Sequence, residues 1–254
     1  MNRIIVFALM LFCMVMQLKA QTLSEEEVSA KMYQAFELNK AGKKAEALEL
    51  FLIVGENTKQ QRNEGERQVY VCSQTMACQC YELLGRYKEG YLLGKSLLQG
   101  KLNDEERKDV GHLYAMNGYM YACEFLQRDE KGRADYKRGR ELISEILPYS
   151  DGQVKEYAET KIPLSWYFEG AQYAMTQSYD EALSSYEKAL NGFRDLGRVS
   201  EEVDVLSGIA SVKAHLCKFD EAKRVYYQAF VLANQNGKVN KQMDVLRELW
   251  SLGN

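Results

Sequence analysis

The chain has 254 residues, 27% of them charged, with 36 acidic against 33 basic side chains and a formal net charge of −3. That balance offers no clustered basic field for a phosphate backbone, so nucleic acid is excluded as the expected partner. Two prolines and 46% hydrophobic residues suit a folded helical chain rather than a disordered one.

The first twenty residues, MNRIIVFALMLFCMVMQLKA, run from a basic start at Arg3 through an apolar stretch, Ile4 to Met16, to a small residue at Ala20. This is the order of a secretory signal. The apolar stretch falls short of the about 20 residues that span a membrane. Residues 1–20 are therefore expected to be removed ahead of Gln21. Residues 21–254 are then expected to form one domain outside the cytoplasm, with no integral membrane segment. A lipoprotein attached at Cys13 and a retained anchor are the alternatives, although Phe12 stands where a lipoprotein signal carries a small residue. Five cysteines follow the cut: Cys72, Cys78, Cys80, Cys123 and Cys217. An odd, scattered set reads as small residues buried at helix contacts rather than as a disulfide framework. Cys78 and Cys80 lie two apart in a helical stretch, which points them roughly 200° apart and keeps them from sharing a metal.

Small and aromatic residues then recur at helical spacing. Ser24 with Glu27 makes a capping box for the first helix, and Ala35 is followed by Ala47 and Phe51 in AGKKAEALELF. The stretch MACQCYELLGRYKEGYLLGKSLL supplies Cys78, Tyr81, Gly90 and Gly94. Asn103 with Glu106 caps the next helix, which carries Tyr114, Gly118 and Tyr121. The charged stretch QRDEKGRAD, residues 127–135, delays that helix's partner to about Tyr136–Leu147. Pro163 either opens the following helix or kinks a longer one that begins near Val154. Trp166, Gly170 and Tyr173 come next; then Ser178 and Glu181, a third capping box, precede Ala182, Tyr186 and Ala189. Forty positions later Ala222, Tyr226 and Ala229 repeat the last three, with Leu206 and Ala210 for Trp166 and Gly170 and Lys213 for Tyr173. Ser200, followed by Glu201 and Glu202, caps the helix between them. Val203-Asp204-Val205-Leu206 returns as Met243-Asp244-Val245-Leu246. Met243–Leu252 is thus expected as the first helix of a sixth pair, with Trp250 as a lid over the fifth or, alternatively, awaiting a partner helix.

The order of bulky residue, Gly or Ala, aromatic, then Ala, aromatic and Ala resembles the tetratricopeptide repeat family. Gly170 and Ala182 let two antiparallel helices approach closely, while Tyr173 and Tyr186 fill the space beside that contact. The anchors Ala47, Gly90, Gly139, Ala182 and Ala222 are spaced by 43, 49, 43 and 40 residues, against the family's usual period of about 34. The helices or their connections are therefore longer than average. The expected fold is all-α: a right-handed superhelical solenoid of about five antiparallel helix pairs plus a C-terminal helix.

No residues suggest catalysis. His112 and His215 are the only histidines, and neither stands at metal-ligand spacing with a cysteine or a second histidine. The glycines of GRYKEG and GYLLG lie inside a helix pair, without the strand or lysine of a phosphate loop. No cofactor and no metal are expected. Most of the 17 tyrosines fall on the repeating packing positions and read as core. The resemblance implies a concave groove lined by the first helix of each pair. It falls on Met32, Phe36, Cys72, Gln79, His112, Tyr119, Tyr167, Ala171, Asp204, Ser207 and Ser211. The Lys/Asn/Arg series that clamps a terminal carboxylate in some family members is absent from these positions. The reading is a non-enzymatic interaction or sensory module that takes a peptide or partner helix, with self-association through the C-terminal helix as a further contact. The alternative is an exported glycan- or small-ligand-binding protein on the same scaffold.

Overall fold

The computed structural model describes residues 23–127 and 134–251; the signal segment, most of the charged stretch at 127–135, and Leu252 lie outside the described residues. Eleven α-helices and one 3-10 turn account for the regular structure there, and no strand is present among the described residues. In chain order they are α1 Glu25–Lys40, α2 Lys44–Thr58, α3 Glu64–Leu83, α4 Tyr87–Leu98, α5 Asp104–Leu126 and α6 Tyr136–Ile146. After the turn Leu147–Tyr149 follow α7 Gly152–Met175, α8 Tyr179–Asp195, α9 Val199–His215, α10 Phe219–Gln235 and α11 Val239–Ser251. The helices divide into two compact units, the boundary falling between Tyr114 and Ala115 within α5.

One turn, used six times, makes most of the connections. In each, the N–H of the residue that opens the next helix returns to a carbonyl five positions back. The pairs are Lys43 to Leu38, Arg86 to Tyr81, Ser178 to Tyr173, Arg198 to Phe193, Lys218 to Lys213 and Lys238 to Ala233. This is the long bond of a Schellman ending, which needs a left-handed residue just before the donor. Gly42, Gly85, Gly197 and Gly237 hold that place with φ between 64° and 79°, but Gln177 (φ 61°) and Cys217 (φ 59°) hold it in two turns. A side chain there costs about 1–2 kcal/mol that glycine avoids, partly offset by glycine's looser unfolded state. Cys217→Gly is therefore expected to raise stability by up to about 1 kcal/mol in thermal unfolding, since exposed Cys217 gives up no packing.

The same turn explains two helix starts that differ from expectation. Ser178 belongs to the turn, with φ −82° and ψ 70°, and makes no side-chain cap bond. A capping serine needs extended backbone to reach forward, so the Ser178–Glu181 box does not form. Likewise α9 begins at Val199 behind Arg198, and Ser200 lies inside its first turn rather than capping it. Where a looser segment precedes the helix, the boxes do form. Ser24 has ψ 161° and exchanges bonds of 2.8 and 3.2 Å with Glu27, and Asn103 and Glu106 exchange two of 2.9 Å. Pro163 does not open a helix; it is buried inside the continuous α7.

In the first unit α1 packs on α2, α2 on α3, and α3 on α4. Ala35, Ala47, Leu48, Phe51, Ala77, Cys80 and Tyr81 form one cluster. Gly94 admits α5: a Cβ there would stand 3.0 Å from the Tyr114 Cβ, and the Tyr91 and Tyr114 rings stack at 5.3 Å. The Arg67 guanidinium reaches from α3 to Glu106 of α5 at 2.8 Å and, with Asn103, holds that carboxyl below the usual carboxylate range.

In the second unit α7 packs on α8, α8 on α9, α9 on α10, and α10 on α11, while the alternate helices α7, α9 and α11 also touch in sequence. Ala182, Ala189, Ala210, Ala222 and Ala229 are fully buried, as the 40-residue frame requires. Tyr186 is buried between two glycines. A Cβ at Gly170 would stand 2.8 Å from its ring, and one at Gly208 2.9 Å. Tyr173 is 36% exposed, contrary to its expected packing role. The cysteines also divide: Cys78 and Cys80 are buried, but Cys72 and Cys217 are exposed. Trp250 is not a lid. It is 76% exposed, and α11 is seated instead by Val245, 1% exposed, with Leu249 at the edge of the core. Val245 and Leu249 lie on one side of the helix at four-residue spacing, and Trp250 lies well round from them.

Candidate functional site

The expected groove residues occupy the first helices of successive pairs and are described unit by unit. In the first unit Met32 and Phe36 are half-buried on α1 against the core cluster, and the Phe36 ring meets Phe51 edge-on at 5.4 Å. Cys72 and Gln79 are exposed on α3, and His112 is exposed on α5. Glu82, one turn beyond Gln79, has its carboxyl pushed up by burial, opposed by His112 across from it. Gln79, Glu82 and His112 thus give this face a polar character.

In the second unit the chain brings two of the expected residues, Tyr167 and Asp204, to a common surface. Tyr167 on α7 lies 5.8 Å from the Tyr186 ring; burial pushes its phenol up, the Asp204 carboxylate adds to this, and Lys241 opposes it. Asp204 on α9 forms an ion pair with Lys241 on α11, both side chains remaining partly exposed. One residue from each of three successive first-of-pair helices therefore lies within electrostatic reach of the other two. Ser207 stands one turn from Asp204 and donates to the Val203 carbonyl at 2.9 Å. Ser211, a turn further, bonds the Tyr226 phenol, which burial pushes up. Ala171 is half-buried beside Tyr167. Tyr119 on α5 stands apart from this cluster, stacked at 6.3 Å on Tyr157; burial pushes its phenol up, as does Cys123 one turn on. Lys241 was absent from the expected set. It lies 37 positions after Asp204, one helical turn short of the 40-residue echo, and that offset is the signal that could have found it.

A second feature of this unit lies between α6 and α8, where α7 forms the floor of a cleft of about 1040 Å³. The Trp166 ring carries the Arg140 guanidinium 3.4 Å from its centre and the Lys188 ammonium at 4.1 Å. Arg140 is buried and held by both oxygens of Glu169, at 2.9 and 3.2 Å, with Ser165 at 3.4 Å. A cation with this many partners is fixed in place and serves packing first. Lys137, Asp180, Glu181 and Ser184 form a mixed-charge rim. One pair further on, Lys213 of α9 stands in the place of Tyr173 and is tied to Glu221 of α10, and buried Leu206 stands in the place of Trp166. Sequence reasoning placed Trp166 and Tyr173 in the packing frame and missed the cleft, because the two cations come from α6 and α8.

Among the described residues no group of three or more His, Cys, Asp or Glu side chains is placed to hold a metal. No helix of the described residues is long and apolar enough to cross a membrane.

Among the described residues the chain is an all-α protein of packed helical hairpins. No family model matches the chain, and no curated protein matches it. Among solved structures it is similar to a thermophilic TPR protein of Thermus thermophilus, at 17% identity over 89% of this chain and 98% of that one, TM-score 0.34. It is also similar to the TPR2AB domain of yeast Sti1 in its pHSP90 complex, at 9% identity over 91% and 100%, TM-score 0.36. The apo form of RapI matches at 15% identity over 84% and 72%, TM-score 0.35. The hairpin architecture itself rests on the helices, turns and buried small residues described above.

Proposed function

We propose that the chain is a non-enzymatic binding module acting outside the cytoplasm, which receives a peptide or a partner helix on the first-of-pair face of its second unit. The observation that carries this reading is the convergence of Tyr167, Asp204 and Lys241 from α7, α9 and α11. An extended ligand laid across those helices meets an aromatic surface at Tyr167 and 41%-exposed Phe168. It then meets hydroxyls at Ser207 and Ser211 and a half-exposed ion pair that can reopen to bond it. An exposed ion pair is worth only about 0–1 kcal/mol, so a ligand displaces it at little cost. The charge, apolar and small-residue order of residues 1–20 supports export.

The test uses an envelope extract from the source cell as the origin of the partner, followed by direct titration of the purified partner. Ser207→Arg places a long cation in the middle of the face without entering the core. It is expected to weaken binding at least tenfold, about 1.4 kcal/mol, with an unchanged helical signal. Unchanged affinity in that variant would remove this face from the reading. The glycan alternative draws on the Tyr119–Tyr157 stack, since Tyr157 is 50% exposed and such rings suit sugar faces. Loss of glycan-array binding in Tyr157→Ala, with peptide binding absent, would favour it.

A further inference from the structure

The last helix leaves one stripe uncovered along its whole length. Val239, Met243, Leu246 and Trp250 are 62%, 57%, 42% and 76% exposed, and their 4-3-4 spacing places all four within one narrow strip of the helix surface. The repeat shows what this strip is. Forty positions upstream, Val203, Leu206 and Ala210 hold the places of Met243, Leu246 and Trp250, and all three are buried in the core that α9 shares with α10. No helix among the described residues covers α11 in the same way. A hairpin partner of the α10 kind does not fit there, because the small Ala210 that lets α10 approach is replaced by the largest side chain.

We infer that the occupant is the α11 of a second copy, packed antiparallel about a two-fold axis. The stripe is complementary to itself in that orientation. With the axis midway between Met243 and Leu246, Trp250 of one copy falls opposite Val239 of the other, large against small, and Met243 falls opposite Leu246. The flanking residues agree. In this register Arg247 approaches Asn240 of the second copy, and Gln242 approaches Leu249, so no like charges are opposed. Lys241, Asp244, Arg247 and Glu248 sum to zero along the helix, so two copies do not repel. Lys241 and Asp244 are further occupied within their own copy by Asp204 and Arg247. An isologous contact of this kind closes on itself and stops at a dimer. One short helix per copy covers less than the about 800 Å² a side of a standard stable interface, so the dimer dissociates in the micromolar range. The inference stands on α11 alone and is independent of the ligand-binding reading.

Sedimentation velocity of the full chain across the micromolar range tests it. The wild type is expected to shift from monomer to dimer as concentration rises. Met243→Glu and Leu246→Lys are each expected to stay monomeric while keeping the wild-type melting temperature, and Tyr227→Glu, an exposed change on α10, to dimerise normally. An equimolar mixture of Met243→Glu and Leu246→Lys is expected to recover the dimer, because the antiparallel register sets those two positions face to face. A wild type that stays monomeric throughout, or variants that dimerise like the wild type, would overturn the inference. A mixture that fails to recover the dimer would overturn the antiparallel pairing.

Discussion

Phe193→Ala is expected to destabilise the second unit by about 3–5 kcal/mol, the range of large-to-small changes at fully buried aromatics. Phe193 is 0% exposed on α8 and belongs to the cluster that joins α8 and α9 through Leu190, Val205 and Ile209. Its carbonyl also accepts the long turn bond from Arg198, so a cavity opens where α8 hands over to α9. The position leaves little scope for collapse, because the backbone beside it is pinned by that turn. At roughly 2–4 °C per kcal/mol, the melting temperature falls by about 6–20 °C. Phe193→Leu refills part of the space and is expected to lose well under half as much. Chemical denaturation followed by helical signal measures both; a loss below about 1 kcal/mol in the alanine variant would show that the site closes over the cavity.

Ala182→Leu tests the opposite limit, overpacking. Ala182 is 0% exposed, and its carbonyl lies 3.2 Å from where a Cβ on Gly170 would stand. The α7–α8 contact is therefore already at backbone distance, and a leucine at fully buried Ala182 is expected to spread the helices. The cost is expected to be about 1–3 kcal/mol. Leucine at the neighbouring exposed Glu181 is expected to change stability by less than about 0.5 kcal/mol. Equal melting temperatures for Ala182→Leu and the wild type would place the tight contact elsewhere and break the assigned register.

The sequence by itself determined the helical class, the hairpin register of the second unit and two of the caps. Ala182, Tyr186, Ala189, Ala222, Tyr226 and Ala229 are buried as their spacing demanded, because a helix carries every third or fourth residue to the same side whatever lies around it. Four of the six turns carry a Gly-Lys or Gly-Arg pair, at 42–43, 85–86, 197–198 and 237–238, a signal that the spacing alone does not use. Tertiary structure decided the rest. Ser178 has the residues of a cap but lies in a Schellman turn set by the helix before it, so its backbone points the hydroxyl away from the helix start. Tyr173 has the residue type of a core position but is exposed, whereas Tyr186 is buried where a glycine from each of two helices admits its ring. Lys241 reaches Asp204, and Arg140 reaches Trp166 and Glu169, across 25 or more positions of chain. Spacing along a helix assigns a residue to a face. Which charge or ring stands opposite depends on how closely neighbouring helices approach, and the small residues at their contacts set that distance.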